Sequence, residues 1–277
     1  MRYREFSKTG FKVSVIGMGT YYDPLWIFAG MVFRIHVHHS RIVEALKKGL
    51  DSGINFIDTA EIYQSEPLVS EAIKGRKRDD LFIASKVWSN HLKSENVIKS
   101  CKRSLSKLNT SYLDLYQIHF PNSRVRIEET MGALEKLVDE GLIRAIGVSN
   151  FSYGQMIEAE EALKRHELSS TQMHYNVLYK DVEKEILPHC EKQKIAMIPY
   201  YPLAHGKLAR EKGGIENIAS NHKVSNSAVA LGWLVNRSEM NFPIPRASRA
   251  THILEDIPAG DLDLSNDEMS YLNALSS

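Results

Sequence analysis

The chain has 277 residues, of which 43% are hydrophobic and 25% are charged, and its formal net charge is +1. This ordinary composition and balanced charge give no reason to expect a nucleic acid or a membrane as partner. The two cysteines, Cys101 and Cys190, form neither a disulfide framework nor a zinc-binding spacing, which favours a reducing cytoplasm. The start lacks the apolar core of a signal peptide, and no apolar run is long enough to span a bilayer.

Short runs of β-branched and aromatic residues alternate with longer segments of helical periodicity along the chain. The predicted strands are 13–18, 54–58, 81–86, 112–119, 143–149, 169–175, 195–201 and 241–245. The helices predicted between them are near 40–52, 66–75, 94–108, 126–140, 152–165, 180–193 and 224–236. Further helices follow the last strand, and Ser265 and Glu268 have the spacing of a capping box at the start of the final one.

Apolar strands separated by amphipathic helices indicate a parallel sheet covered by helices. Eight such units in one domain spanning residues 1–277 favour an α/β fold, the closed (β/α)8 TIM barrel. An open doubly wound sheet is the competing topology, but the first strand leads into "GMGTYY", which lacks the third glycine of a dinucleotide-binding turn. The Thr9-Gly10 turn between two short extended pieces predicts an N-terminal β-hairpin that closes the bottom of the barrel.

Polar residues at the C-terminal ends of the strands are the candidates for chemistry in such a barrel. Asp58 ends the second strand, Tyr63 lies in the loop beyond it, and Lys86 and His119 end the third and fourth strands. Taken alone, these residues read as a helix cap, a packing aromatic, a snorkelling lysine and a core histidine. Their joint placement at one barrel mouth predicts a proton-transfer site instead.

The chemistry of this set suits the reduction of a carbonyl group. A phenol has a pKa near ~10 and exchanges protons poorly at neutral pH unless that pKa is lowered. We expect Lys86 to lower the pKa of Tyr63, Asp58 to keep Lys86 charged, and His119 to orient a carbonyl oxygen. No side chain supplies a hydride, so the hydride has to come from a cofactor.

Four motifs resemble the aldo-keto reductases in order and at matching intervals: "GINFIDTAEIYQ" (53–64), "SKVW" (85–88), "LYQIHF" (115–120) and "GLIRAIGVSNF" (141–151). The resemblance extends from "VIGMGT" (15–20) to "IPRASRATHILED" (244–256). It implies a barrel that binds NADPH, with NADH as an alternative, and that reduces aldehydes and ketones reversibly. Asp58, Tyr63, Lys86 and His119 then match the catalytic tetrad, with Tyr63 as the general acid.

The same resemblance implies a cofactor site. Ser149, Asn150 and Gln172 match the residues that hold the nicotinamide carboxamide, and Tyr200 matches the aromatic that stacks on its ring. Arg246 and its neighbours match the group that meets the 2′-phosphate. The implied cofactor-binding set is Gly19, Thr20, Tyr21, Asp58, Ser149, Asn150, Gln172, Tyr200, Tyr201, Pro202, Leu203, Gly206, Leu208, Arg246, Ser248, Arg249, His252, Glu255 and Asp256. The simpler interpretations are an N-cap at 149–150 for the following helix and a solvated basic loop at "PRASRAT" (245–251).

Four positions depart from the pattern of this family, one of them Asp256, where asparagine is frequent. Gln64 stands where glycine is usual, and Tyr201 stands where a small serine is common. His252 replaces an arginine that grips the 2′-phosphate, which leaves the choice between NADP and NAD open, although Arg246 and Arg249 favour NADP(H).

The insert over residues 21–39 follows the first strand and should overhang the substrate mouth. Its aromatic residues lead to a predicted pocket lined by Tyr21, Trp26, Phe28, Trp88 and His119. Histidines at 36, 38 and 39 lack a cysteine or carboxylate to complete a ligand set, so we expect no metal.

The leading interpretation is an NADP(H)-dependent oxidoreductase that reduces small aldehydes, ketones or sugar-derived carbonyls to alcohols. An alternative is a cofactor-binding redox sensor that resembles potassium-channel β subunits, suggested by "DPLW" (23–26). A metal- or phosphate-dependent barrel lyase is a third. We expect only a small-molecule partner, and the physiological substrate, the preferred direction and the oligomeric state stay open.

Overall fold

A computed structural model describes residues 1–22, 24–33 and 38–276 of the protein. Its strands are β1 (Tyr3–Glu5), β2 (Lys12–Ser14), β3 (Met18–Gly19), β4 (Phe56–Asp58), β5 (Phe82–Val87), β6 (Leu113–Ile118), β7 (Ile143–Ser149), β8 (Leu168–His174) and β9 (Ala196–Tyr200). Its helices are α1 (Pro24–Phe33), α2 (His39–Asp51), α3 (Glu66–Ile73), α4 (Ser94–Leu108), α5 (Ile127–Asp139), α6 (Tyr153–Ala162), α7 (Ile186–Gln193), α8 (Gly214–His222), α9 (Asn226–Arg237), α10 (Ala250–Asp256) and α11 (Asn266–Ala274).

Strands β3 to β9 pair side by side, all parallel and in chain order. Segment 240–247 lies between the two edges of this sheet. On one side the backbone N–H groups of Phe242 and Ile244 donate to carbonyls of β9 at 2.8 and 3.2 Å. On the other side the carbonyls of Pro243 and Pro245 accept from backbone N–H groups beside β3 at 2.9 and 2.8 Å. The ring of parallel strands is thereby closed, and the predicted (β/α)8 TIM barrel is confirmed.

Two predicted strands differ in detail from the structure. Segment 241–245 is not a regular strand, because Pro243 and Pro245 have no N–H to donate and only isolated bridges form there. Segment 13–18 contains the end of β2 and the start of β3. The two strands are separated because the chain turns where the Ser14 hydroxyl donates to the carbonyl of Ile16 at 2.8 Å.

The N-terminal hairpin closes the bottom of the barrel, as predicted. Strands β1 and β2 pair antiparallel, and the fully buried ring of Phe6 follows β1. This ring lies 4.5 Å from Phe82, 5.0 Å from Phe242 and 6.0 Å from Phe56, measured between ring centroids. Aromatic packing of this kind fills the lower interior of the barrel and leaves its upper end for the site.

Most predicted helices lie within a few residues of the observed ones, and the Ser265–Glu268 capping box is present at α11. The predicted helix 180–193 was too long, since α7 begins only at Ile186. Pro188 explains this boundary, because proline is tolerated in a first helical turn but breaks a helix interior. Helix α8 was missed, and residues 24–33 of the insert form α1. None of the helices in the described ranges has the length and apolar character needed to cross a membrane.

Candidate active site

A buried ion pair joins the ends of β4 and β5. Lys86 Nζ donates to Asp58 Oδ2 at 2.6 Å and to the Thr59 carbonyl at 2.9 Å. Both charged side chains are almost fully buried. Burial lowers the pKa of Lys86 and raises the pKa of Asp58, while the attraction between the two groups opposes both shifts. The structure thus brings together two predicted residues that lie 28 positions apart in the chain.

The other oxygen of Asp58 is held from the far side of the barrel. Gln172, near the end of β8, donates through Nε2 to Asp58 Oδ1 at 2.9 Å. The backbone carbonyl of Gln172 accepts from the Ser149 hydroxyl at 3.0 Å. Each carboxylate oxygen therefore has a partner, which orients the carboxylate toward Lys86.

Tyr63 ends a short 3-10 helix, Glu61–Tyr63, that follows β4. Its hydroxyl is hydrogen-bonded to His119 Nε2 at 3.1 Å. The Lys86 ammonium lies 4.8 Å from the centroid of the Tyr63 ring. All four side chains predicted to act together consequently meet at the upper end of β4, β5 and β6.

The pKa values of Tyr63 and His119 are both shifted in this structure, and the pKa of Tyr63 moves in the direction opposite to the expectation. Burial, reinforced by the Asp58 carboxylate, raises the pKa of Tyr63 well above its usual value. The expected lowering of this pKa is therefore not the net result in this structure, in which burial is the largest cause of an upward shift. Burial, with a smaller contribution from Lys86, lowers the pKa of His119 to about 2. At neutral pH Tyr63 therefore carries its proton, and His119 is uncharged.

Asn150 ties several strand ends together. It has a left-handed backbone conformation with φ +61°, and its Nδ2 donates to the His119 carbonyl and to Ser149 Oγ, both at 2.9 Å. Its Oδ1 accepts from the Tyr200 hydroxyl at 2.7 Å. The reading of residues 149–150 as the helix cap was wrong, since Ser152 caps α6 with a capping box.

His174, a residue that the sequence analysis did not select, lies behind the Tyr200 ring. The two rings stack at a centroid distance of 5.6 Å and an angle of 14°. Since His174 is the last residue of β8, the strand-end rule used for the other candidates would have found it.

The segment after β9 is strained and aromatic. Tyr201, Ala204 and His205 all have φ between +47° and +55°, a region that non-glycine residues rarely adopt. The Tyr201 ring lies 3.9 Å from that of His205 and 6.3 Å from that of Tyr21, and Tyr21 lies 5.1 Å from Tyr63. This aromatic layer therefore reaches the phenol of the candidate site.

The remaining predicted cofactor positions near β3 and β9 divide between buried and accessible ones. Gly19 exchanges backbone hydrogen bonds with segment 245–247, and the Thr20 hydroxyl is buried against the Asp58 carbonyl at 3.0 Å. Buried members are Pro202 and Leu208, and partly exposed ones are Leu203 and Gly206. Thr20 thus has its hydroxyl engaged inside the fold.

The segment leading into α10 presents cations to solvent. Arg246, Arg249 and His252 are exposed, as is Glu255, whereas Ser248 is buried. No hydrogen bond or ion pair of the Arg246 and Arg249 side chains is seen within the described ranges. Two unpaired guanidinium groups on one short segment are suited to a phosphate.

Asp256 differs from the other members of this segment. Its carboxyl group is buried, and a hydrogen bond with Ser227 of α9 only partly offsets the burial that raises its pKa to about 7. The side chain therefore faces the helix behind it, which leaves Glu255 as the exposed acid at this end.

Aromatic rings surround His119 at the mouth. The Trp88 ring meets His119 edge to face at 5.2 Å, and Phe120 stacks on His119 at 5.0 Å. Phe120, which is 39% exposed, was missed by the sequence analysis although it is the second residue after β6. Trp88 and Phe120 are themselves 5.7 Å apart, so both border the same side of the site.

The insert contributes less to this group than predicted. Trp26 contacts Tyr22 at 6.4 Å and His38 at 4.6 Å, so it packs toward the start of α2. Phe28 is 58% exposed, and its place in the pocket stays a prediction. His39 pairs with Glu71 at 2.6 Å.

Other parts of the insert predictions, among them Asp23 and His36, lie outside the described residues. Within the described ranges, no group of three or more histidine, cysteine, aspartate or glutamate side chains could hold a metal ion.

Two known proteins with similar sequences are named as reductases of methylglyoxal and of glyoxal. The methylglyoxal reductase YeaE of Escherichia coli strain K12 is 34% identical over 238 residues, which cover 83% of each chain. The glyoxal reductase of Bacillus subtilis strain 168 is 34% identical over 252 residues, covering 90% of this chain and 88% of the other.

Solved structures show the same architecture. A thermostable aldo-keto reductase crystallised with the inhibitor epalrestat superposes with a TM-score of 0.91 at 36% identity, and each chain is covered completely. An aldo/keto reductase from Klebsiella pneumoniae, solved with NADP and acetate, superposes with a TM-score of 0.85 at 30% identity, over 99% of this chain and 95% of the other. The model of the aldo/keto reductase family matches residues 30–277. With the barrel, the strand-end tetrad and these matches in agreement, the chain belongs to the aldo/keto reductase family.

Proposed function

We propose that this chain acts as a single unit, in a reducing cytoplasm, as an NADP(H)-dependent reductase of small aldehydes and ketones. The observation that carries the proposal is the hydrogen bond of 3.1 Å between the Tyr63 hydroxyl and His119 Nε2, beside the buried Lys86–Asp58 pair. Relatives named for methylglyoxal and glyoxal make small dicarbonyl compounds the first substrates to test. The free, buried thiols of Cys101 and Cys190 agree with a reducing compartment.

The residues present fit a nicotinamide dinucleotide phosphate. Tyr200 offers a half-buried planar ring, and Ser149, Asn150 and Gln172 gather amide and hydroxyl groups beside it. The Arg246–Arg249 segment offers unpaired guanidinium groups for a phosphate. When bound, the reduced nicotinamide supplies a hydride to the carbonyl carbon.

The side chains of this protein handle the proton of the reaction. Tyr63 is protonated at neutral pH, so it can donate its hydroxyl proton to the carbonyl oxygen as negative charge develops there. The phenolate that remains is stabilised by the Lys86 ammonium over its ring, and Asp58 holds that ammonium in place. His119, being neutral, can share a hydrogen bond with the substrate oxygen without adding a charge.

The direct test is an assay of the purified protein with NADPH or NADH and a panel that includes methylglyoxal, glyoxal and a sugar aldehyde. We expect loss of reduced-nicotinamide absorbance, faster with NADPH. Replacing Arg249 by alanine should raise the KM for NADPH about 10-fold and leave that for NADH unchanged, because a charge-assisted bond to phosphate contributes about 1.5–3 kcal/mol. NADPH binding without turnover of any carbonyl would contradict the reductase.

The redox-sensor alternative rests on the segment "DPLW" (23–26), whose Asp23 lies outside the described residues. No contact of the described residues favours it over an enzyme. The assay separates the two, since a sensor would bind NADPH tightly and turn over very slowly.

A further inference from the structure

Glu61 opens the short 3-10 helix that ends at Tyr63, and the proton-transfer scheme above does not use it. Its side chain is 11% exposed and reaches across to the loop that follows β5. There its Oε1 accepts from the backbone N–H of Trp88 at 2.5 Å and from His91 Nδ1 at 2.9 Å. A carboxylate that is largely removed from water and bonded to a backbone N–H makes a strong, directional link between two loops.

This link closes a ring of contacts around the candidate acid. The Tyr63 hydroxyl bonds to His119 Nε2 at 3.1 Å, and the His119 ring meets the Trp88 ring edge to face at 5.2 Å. The backbone of Trp88 is then bonded to Glu61, only two residues before Tyr63. Because the contacts form a closed path, displacement of any one member has to displace its neighbours.

The turn itself has further supports. Gln64 has φ +56°, and its Nε2 donates back to the Glu61 carbonyl at 3.1 Å. On the outer side, Arg103 Nη2 lies 3.6 Å from Glu61 Oε2. The backbone and the side chain of Glu61 are therefore both held, whereas the Tyr63 side chain is left to face the site.

We propose that Glu61 is a positioning residue, which sets the Tyr63 hydroxyl and the Trp88 ring at the right separation for proton transfer to a bound carbonyl compound. This inference rests on the proposed function, since it concerns the acid of the same site. Small displacements matter there, because misplacing a catalytic group by about 1 Å can cost about 100-fold in rate. A merely structural Glu61 would instead affect stability and leave the rate per folded molecule unchanged.

Two substitutions at this position separate the two roles. Glu61→Ala removes the acceptor of the Trp88 N–H, and we expect kcat to fall about 10-fold while the KM for NADPH stays unchanged. Glu61→Gln keeps an acceptor oxygen of the same reach, so it should retain kcat within about 3-fold. Glu95→Ala is the matched control, because Glu95 is an exposed acid on α4 whose ion pair within the described ranges is with Lys99 at 3.6 Å. It should leave kcat unchanged.

Hydrogen–deuterium exchange supplies a readout that does not depend on turnover. In Glu61→Ala, peptides covering 59–65 and 86–92 should exchange faster, while the N-terminal hairpin should keep its wild-type rate. An unchanged kcat in Glu61→Ala, or an equal loss in Glu61→Gln, would overturn the positioning role. If the wild-type protein showed no turnover, the proposed function would fail, and unchanged exchange at Trp88 would separately refute the link.

Discussion

Two buried aspartates lie at opposite ends of the barrel, and their surroundings differ. At the upper end Asp58 pairs with Lys86, whose ammonium donates, among the residues that the structure describes, to Asp58 and to the Thr59 carbonyl. At the lower end Asp114 accepts from Arg78 at 2.6 Å, from Arg144 at 3.2 Å and from the Ile83 backbone N–H at 2.9 Å. The lower carboxylate thus receives three donors from partners that are themselves packed.

The packing of the partners sharpens this contrast. The two lower guanidinium groups, of Arg78 and Arg144, lie 4.0 and 3.8 Å from the centroid of the Tyr112 ring. At the upper end, Gln64, Asn150 and Tyr201 all hold left-handed backbone conformations close to the reacting groups. Strain of this kind persists where surrounding contacts enforce it and is concentrated at functional sites. We therefore expect the lower ion pairs to serve the stability of the fold and the upper pair to serve the proposed proton transfer.

Removing the phenol hydroxyl should have the largest effect on this contrast. Tyr63→Phe keeps the ring and its packing but removes the proton donor, so kcat should fall about 1,000-fold while NADPH binding and the melting temperature change little. The rate is measured as turnover of methylglyoxal, and NADPH binding is measured by the quenching of protein fluorescence. Activity within a few-fold of wild type would show that another group supplies the proton.

Exchanging each aspartate for asparagine tests the contrast directly. Asp58→Asn removes the charge that holds Lys86, so kcat should fall about 100-fold. Asp114→Asn should lower the free energy of unfolding by about 2–4 kcal/mol, because it breaks a buried ion pair, and should leave kcat per folded molecule unchanged. Urea unfolding and steady-state rates are measured on both variants. A loss of rate in Asp114→Asn would erase the distinction between the two ends.

The uncharged His119 predicts a dependence of stability on pH. The unfolded chain binds a proton at this residue below pH ~6.5, whereas the native state binds it only near pH 2. The unfolded state therefore binds more protons over this window, and stability falls as the pH drops, by at most about 1.4 kcal/mol per pH unit. Urea titrations between pH 7 and pH 5 should show a shallower loss for His119→Asn than for wild type. Equal slopes for the variant and wild type would mean that His119 binds its proton over the same pH range in the native state as in the unfolded chain.

The smallest expected effect concerns backbone strain. Gln64→Gly should raise the free energy of unfolding by about 0.5 kcal/mol, because the steric cost that glycine relieves at φ +56° exceeds the contribution of the hydrogen bond from Gln64 Nε2 to the Glu61 carbonyl. Asn109, which follows α4 with φ +50°, is the matched position away from the site. Asn109→Gly should change stability less, since asparagine tolerates this region better than glutamine. Equal effects would indicate that the strain at residue 64 has no special cost.

Much of the fold followed from local pattern. Strand and helix periodicities placed six parallel strands closely, and chain order with the strand-end rule placed Asp58, Tyr63, Lys86 and His119 at one mouth. The failures have local causes too. Pro243 and Pro245 interrupt the eighth strand, and the proline at position 188 delays α7.

The sequence by itself determined the architecture and the candidates for acid–base chemistry, because these depend on residue type and spacing along the chain. The tertiary structure alone decided which groups share hydrogen bonds and how burial balances charge. Gln172 and Asp58, 114 positions apart, meet only through closure of the barrel. The raised pKa of Tyr63 arises from burial and from the nearby Asp58 carboxylate, and the bond from Glu61 to the Trp88 backbone depends on how two loops pack. Hydrogen bonds and pKa shifts of this kind depend on all the neighbours of a group in space, and the spacing of residues along the sequence does not encode those neighbours.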